Sequence, residues 1–76
     1  MVTLTNIDQT KNRRRFYSVQ IIPTLFGEWS IMREWGRIGS PGRVTLESFS
    51  SEDEARRAER NTVRLRERHG YIATQL

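Results

Sequence analysis

The sequence contains no cysteine and a single histidine. Without cysteine there is no disulfide, no thiolate metal site and no thiol nucleophile. One histidine cannot build a metal cluster, and the position of His69 beside Gly70 is typical of a helix end. We therefore predict that the chain is not an enzyme, that it needs no cofactor or metal, and that packing alone holds the fold.

Long apolar runs are also missing. No segment approaches the roughly eighteen apolar residues of a membrane span, and nothing after Met1 resembles a secretion signal. We expect a chain without membrane contact that resides in the cytoplasm, at the nucleoid if it binds DNA. Its 76 residues, 36% of them hydrophobic, suffice for one core. Residues 1–76 are therefore predicted to form one domain.

Lysine is nearly absent, because Lys11 is the only one among 13 basic residues, which outweigh the acidic ones to give a net charge of +4. The arginine side chain is a planar fork that binds phosphate in a bidentate manner and stacks on rings. A compositional bias towards arginine is the alternative explanation. The charge favours a nucleic-acid partner, and no feature points to a small-molecule substrate.

Alternating apolar and polar residues predict strands. We expect a half-buried edge strand first, then three strands that form a meander, with a hairpin loop at residues 24–27; the ranges are Val2–Asp8, Arg13–Pro23, Glu28–Ile38 and Val44–Phe49. Ser40–Arg43 places proline second and glycine third, which is the pattern of a type II turn.

The periodicity then changes to that of a helix, predicted over Glu52–His69. Ser51 and Glu54 fit a capping box at its start, and Gly70 fits its end. One face of this helix is expected to lie on the sheet, and its residues are Ala55, Ala58, Thr62, Leu65 and His69. After the helix, Tyr71 and Ile72 are expected to return to the core. The predicted fold is α+β, an antiparallel sheet of three to four strands packed against one long C-terminal helix.

Two arginine clusters are candidates for binding a polyanion. Arg13, Arg14 and Arg15 are adjacent at a strand start, where their repulsion would be relieved by a nearby polyanion. The outer helix face carries four more at spacings of three and four, namely Arg57, Arg60, Arg64 and Arg68. The alternative for both clusters is an ordinary solvated surface, which at the helix end complements the helix dipole.

The segment from Arg33 to Arg37 is the most specific feature. In a regular strand Arg33, Trp35 and Arg37 share one face, which suits a sugar or base between two phosphates. Trp29 and Ile31 have the same parity, so either that face is mixed or a bulge near Gly36 redirects the strand. Trp35 is either core or contact, and Gly36 permits close approach either by a partner or by this chain's own backbone.

At Trp35-Gly36-Arg37 the sequence resembles the WGR domain family, whose name is this tripeptide. The similarity extends over nearly the whole chain, including residues 16–20, 25–29, Gly39, Gly42, Phe49, Ala55 and Gly70-Tyr71. This similarity is specific, and a stand-alone chain resembles the bacterial-type members of the family. They are related to the WGR module of DNA-dependent poly(ADP-ribose) polymerases. The resemblance implies an antiparallel sheet on one helix and binding to nucleic acid at the ends of strands, with Trp35 on a terminal sugar and Arg37 on phosphates.

The sequence thus predicts a module that binds nucleic acid, DNA rather than RNA, with nine contact residues: Trp35, Arg37, Arg33, Arg13, Arg14, Arg15, Arg43, Arg60 and Arg64. The alternative is a protein-interaction module in which the same basic and aromatic surface docks an acidic partner domain, since tryptophan and arginine also dominate protein interfaces.

Overall fold

The structure is a computed structural model that describes residues 1–74. In chain order the elements are β1 (Val2–Asp8), a short 3-10 helix (Gln9–Lys11), β2 (Arg13–Pro23), β3 (Trp29–Arg37), β4 (Arg43–Phe49), α1 (Glu52–Arg68) and β5 (Ile72–Thr74). The strands form one antiparallel sheet in the order β4-β3-β2-β1-β5, and α1 packs on one of its faces. The predicted α+β fold is confirmed, with one strand more than expected.

The extra strand changes the position of β1. We predicted an edge strand, but β1 lies inside the sheet, because β5 pairs with it opposite β2. Tyr71 packs against the core as expected. Ile72 instead enters β5 and remains exposed, so its predicted burial is wrong. A three-residue strand was too short to recognise from alternation, and it gains its hydrogen bonds only from a distant partner.

The cross-strand register determines which side chains face the helix. Tyr17 pairs with Trp35 and Ile21 with Ile31, and the pairing of β3 with both neighbours runs without interruption. No bulge therefore redirects β3 near Gly36, and the helix-facing side is mixed, apolar at Ile31 and basic at Arg37. The core is small; its fully buried apolar residues are Leu4, Tyr17, Val19, Ile31 and Ala55.

The turn between β3 and β4 differs from the predicted one. Ser40 N donates to the Arg37 carbonyl at 3.1 Å, and Gly39, the third residue of this turn, has a φ of 89°. Gly42 is not among the positive-φ residues, so the type II turn predicted at residues 40–43 is wrong. Gly42 is needed for space instead, because a Cβ there would lie 2.5 Å from the Trp35 carbonyl oxygen.

The helix begins and ends at the predicted signals. Ser51 is the N-cap, and its hydroxyl accepts from Glu54 N at 3.2 Å. The Glu54 carboxylate does not return to the cap backbone as a full capping box requires, but accepts from the Ser50 hydroxyl. At the other end Gly70 has a φ of 89°, and Tyr71 N donates to the Arg66 carbonyl, which together form a Schellman motif.

The prediction for the sheet-facing side of α1 is correct in the first half of the helix and wrong in the second half. Ala55 is buried and Ala58 and Thr62 are half-buried, but Leu65 and His69 are exposed. The inward positions continue instead through residue 63 to Arg66. No helix within residues 1–74 combines the length and apolar character needed to cross a membrane.

We expect Gly42→Ala to destabilise the fold by about 1–3 kcal/mol, as overpacking does. Its Cβ would meet the Trp35 carbonyl and, at 2.9 Å, the Phe16 ring, so backbone has to move. The measurement is the free energy of unfolding in urea, with the exposed Ser40→Ala in the same turn as the control. Equal stability of the two variants would contradict the close packing described here.

Candidate functional site

An open cleft of about 580 Å³ lies where β2 begins, β3 ends and the last turn of α1 passes over the sheet. Six of its lining residues are basic and two are aromatic: Lys11, Arg13, Arg14, Arg15, Arg37 and Arg66 with Trp35 and Tyr71, beside Asn12 and Gly36. The strand register directs the side chains of Arg13, Arg15 and Arg37 to the helix side of the sheet and that of Arg14 to the opposite side. We call this the cationic cleft. Its volume is within the roughly 300–1,000 Å³ of pockets that hold small ligands.

The aromatic wall of the cationic cleft is continuous with the core. Trp35 stacks on Tyr17 with ring centroids 5.8 Å apart and planes 15° apart. Tyr71 meets the same tyrosine edge-on at 6.4 Å and 78°. Trp35 is half-buried, packs against the core and still lines the cleft. Trp35 therefore packs on the core and also lines the cleft, and its contact with nucleic acid stays a prediction.

Arg66 forms the helix side of the cleft. Its guanidinium carbon lies 4.4 Å from the centroid of the Tyr17 ring, a cation–π contact. Its Nε is buried without a hydrogen-bond partner within residues 1–74. A buried donor without an acceptor costs free energy, and a negative charge in the cleft would offset part of that cost.

The charge of the cationic cleft is only partly offset by the protein, through the Asp8 carboxylate opposite Arg13 in the sheet register. No carboxylate belongs to its lining, as far as residues 1–74 show. The two ion pairs of the described chain, Arg33–Glu47 and Arg56–Glu52, both lie outside it. An excess of basic residues around one concave surface focuses a positive potential that attracts polyanions. The cleft is thus suited to phosphates beside a planar ring.

The 3-10 helix fixes one rim of the cleft, because it precedes Asn12 and carries Lys11. Asp8 caps it by accepting from Thr10 N at 3.1 Å and from the Thr10 hydroxyl at 2.6 Å. That hydroxyl bond is the main cause that lowers the pKa of Asp8 below its ordinary value, with smaller help from backbone N–H groups and Arg13. Asn12 then turns the chain into β2 with a left-handed φ of 52°.

The structure brings five of the nine predicted contact residues together. Trp35, Arg37 and the three arginines at 13–15 all line the cationic cleft. Arg33 does not: its side chain is bound to Glu47 at 2.9 Å and to the Thr62 hydroxyl at 3.4 Å, beneath α1. Arg33 shares a face with Trp35 as predicted, but this pairing holds it away from the cleft.

The other three predicted contacts lie on exposed surface outside the lining. Arg43 is at the start of the edge strand β4, opposite Trp35 in the register. Arg60 and Arg64 are exposed on the outer face of α1, where the sequence placed them. The cationic cleft and the outer helix face are therefore separate basic surfaces.

Lys11, Arg66 and Tyr71 were not predicted as contacts. A helical pattern could have found Arg66, because steps of three and four from Ala55 through Thr62 reach residue 66 as readily as 65. Hydrophobicity favoured Leu65 for the inward position, yet the space over Tyr17 takes an arginine. Lys11 carried no signal, because its place depends on how the 3-10 turn folds back.

Comparison with known protein families identifies the family of this chain. The model of the WGR domain matches residues 1–75. The chain belongs to the WGR domain family. A relative from Sinorhizobium fredii, the uncharacterized protein y4dW, is 35% identical over 65 residues, which are 86% of this chain and 32% of the relative. The chain thus spans about a third of the length of that relative.

The three residues of the WGR signature have different environments. Trp35 forms the aromatic wall and Arg37 contributes charge to the cleft. Gly36 faces the other side of the sheet, where a Cβ would lie 3.0 Å from the Cα of Gly42 and 3.4 Å from the Phe16 ring. Close approach at Gly36 is therefore internal packing, which resolves the alternatives left open by the sequence.

Trp35→Ala is expected to lower the free energy of unfolding by about 3 kcal/mol, because it removes a large aromatic that packs on the small core. Trp35→Phe keeps a ring beside Tyr17 and is expected to cost less than half as much. Thermal and urea unfolding measure both. Unchanged stability of Trp35→Ala would mean that the indole does not support the core.

Proposed function

We propose that this chain is a non-catalytic nucleic-acid-binding module that holds DNA in the cationic cleft. The observation that carries this proposal is the joint presence of several basic residues and an indole, with no carboxylate among the lining residues described, in one open concavity. Phosphates require the charge, and sugars or bases require the flat apolar wall. A cleft of this size takes a short stretch of strand, roughly one or two nucleotides.

Each contact has a role in the proposed complex. Trp35 and Tyr71 pack against a sugar or base, and Arg37 with its cross-strand neighbour Arg15 binds phosphate. Arg66, held over Tyr17, places a further charge at the helix side. Arg60 and Arg64 add a general attraction from the outer helix face. Arg33 keeps its bond to Glu47 and takes no part.

Membership of the WGR family supports the same function, since the family is associated with nucleic-acid binding in proteins related to poly(ADP-ribose) polymerases. Preference for DNA over RNA, and for strand ends over continuous duplex, belongs to the proposal. An open cleft at one end of the sheet gives a terminal nucleotide easier entry than an internal one, whose strand continues on both sides.

Titration with labelled oligonucleotides tests the proposal. Nicked, blunt and single-stranded DNA and matching RNA are compared by fluorescence anisotropy at several salt concentrations. With about three to five phosphate contacts, log K is expected to fall against log salt with a slope near −3 to −4. No binding to any of them at about 50 mM salt would exclude this function, and co-purification of an acidic protein would then favour the protein-interaction alternative.

Two double variants with the same loss of charge locate the binding surface. Arg15→Gln/Arg37→Gln removes charge from the cationic cleft, whereas Arg60→Gln/Arg64→Gln removes it from the outer face of α1. We expect the cleft variant to reduce the salt slope by about 2, because two phosphate contacts are lost, and the helix variant to leave it nearly unchanged. Equal effects would mean that the net charge, not the cleft, determines binding.

A further inference from the structure

The outer edge of β4 is open, and two antiparallel copies of this strand have complementary charges and apolar residues. Among residues 1–74, β4 pairs with β3 on one side and with no strand on the other. Six of its seven residues are exposed. The strand contains no proline or lysine, and its pairing with β3 has no bulge, so among the usual devices that protect a sheet edge it has only two charged residues, Arg43 and Glu47.

We propose that β4 joins two copies of this chain, edge to edge and antiparallel, about a two-fold axis at Thr45. In that register Arg43 of each copy lies opposite Glu47 of the other. Val44 lies opposite Leu46 on the face without a helix. Opposite charges and apolar pairs directly across two strands each stabilise an antiparallel pair.

The charges favour this register over its neighbours. A shift by one residue, to an axis at Leu46, would place Arg43 opposite Phe49 and Val44 opposite Ser48. Both opposite-charge pairs would then be lost, and one apolar pair, Leu46 with its own copy, would remain. The Glu47 carboxylate is already held in place, because its Oε1 accepts from Arg33 at 2.9 Å, and it can accept a further bond from the Arg43 of a second copy. That bond fixes the carboxylate while leaving its side chain 54% exposed.

Val44 and Leu46 supply the apolar surface that the proposed dimer would bury. Val44 is 51% exposed and Leu46 is 67% exposed, on the sheet face opposite α1. Exposed valine and leucine on an open sheet edge are a typical contact for strand addition. An isologous pair doubles each contact. The product is a continuous sheet of ten strands with both helices on the same face, because an axis perpendicular to the sheet does not exchange its faces.

Cross-linking tests the register directly, because the natural chain has no cysteine. In Thr45→Cys the two new thiols face each other across the axis, with Cα atoms about 4.5–5.5 Å apart, within disulfide range. In Ser48→Cys, on the same strand, the two positions are roughly 20 Å apart. Under mild oxidation we expect a disulfide-linked dimer from Thr45→Cys and little from Ser48→Cys. Equal yields would overturn the proposal.

Analytical ultracentrifugation of the natural chain gives the second measurement. With rising concentration, the mass is expected to move from 9.0 kDa towards twice that value. Val44→Lys/Leu46→Lys places like charges opposite each other and is expected to stay monomeric with its melting temperature retained, because both residues are exposed. A monomeric natural chain at all concentrations, or a Lys variant that associates normally, would show that β4 is not the contact.

Charge reversal provides the third test. Arg43→Glu alone and Glu47→Arg alone each place like charges opposite each other, and each is expected to weaken self-association about tenfold or more. Mixed together, the two variants restore both opposite-charge pairs and are expected to form a heterodimer. Leu25→Ser/Phe26→Ser, at the exposed tip of the β2–β3 hairpin, is the control and is expected to associate normally. Failure of the mixture to associate, or loss of association in this control, would contradict pairing through β4.

Discussion

The contact between Tyr17 and Trp35 connects the stability of this domain to its cleft. Tyr17 is buried among the core residues, and three groups of the cleft touch it: the Trp35 indole, the Tyr71 ring and the Arg66 guanidinium. Because the core has so few buried side chains, Tyr17 is needed for stability as well as for the shape of the cleft. Tyr17 therefore supports the aromatic wall from below, and the wall in turn covers the core.

This arrangement explains how repelling charges can share one end of the molecule. The basic residues of the cleft form no ion pair within residues 1–74, so their mutual repulsion opposes folding. The sheet register and the helix hold them in place through other contacts, such as the stacking of Arg66 on Tyr17. Strain of this kind is typical of binding sites, where the missing partner supplies the compensation.

Local signals in the sequence predicted most of the fold. The helix boundaries followed from Ser51 and Gly70, whose chemistry acts within one turn, and the strands followed from alternation. The fifth strand did not, because Ile72–Thr74 pairs with residues about seventy positions away. The turn at Gly39 was mislocated because Pro41-Gly42 carries the stronger local pattern, while the actual constraint on Gly42 is the carbonyl of Trp35.

The candidate site was predicted where side chains follow the strand register and missed where they depend on packing. Trp35 and Arg37 share a face by geometry alone, and Arg15 lies beside Arg37 because β2 pairs with β3. Arg33 has the same parity, but no local rule shows that Glu47 and Thr62 will bind it. Arg66 was missed because the space over Tyr17 exists only after sheet and helix have met.

The pairing of β1 with β5 has a consequence for how such a domain can be carried. Thr3 and Thr74 are partners in adjacent strands, so the path into the domain and the path out of it run side by side. A host polypeptide could accept the unit at a single surface loop with little entropy lost in bringing the two junctions together. The pairing of the first and last strands therefore suits this domain to insertion into a surface loop of another protein.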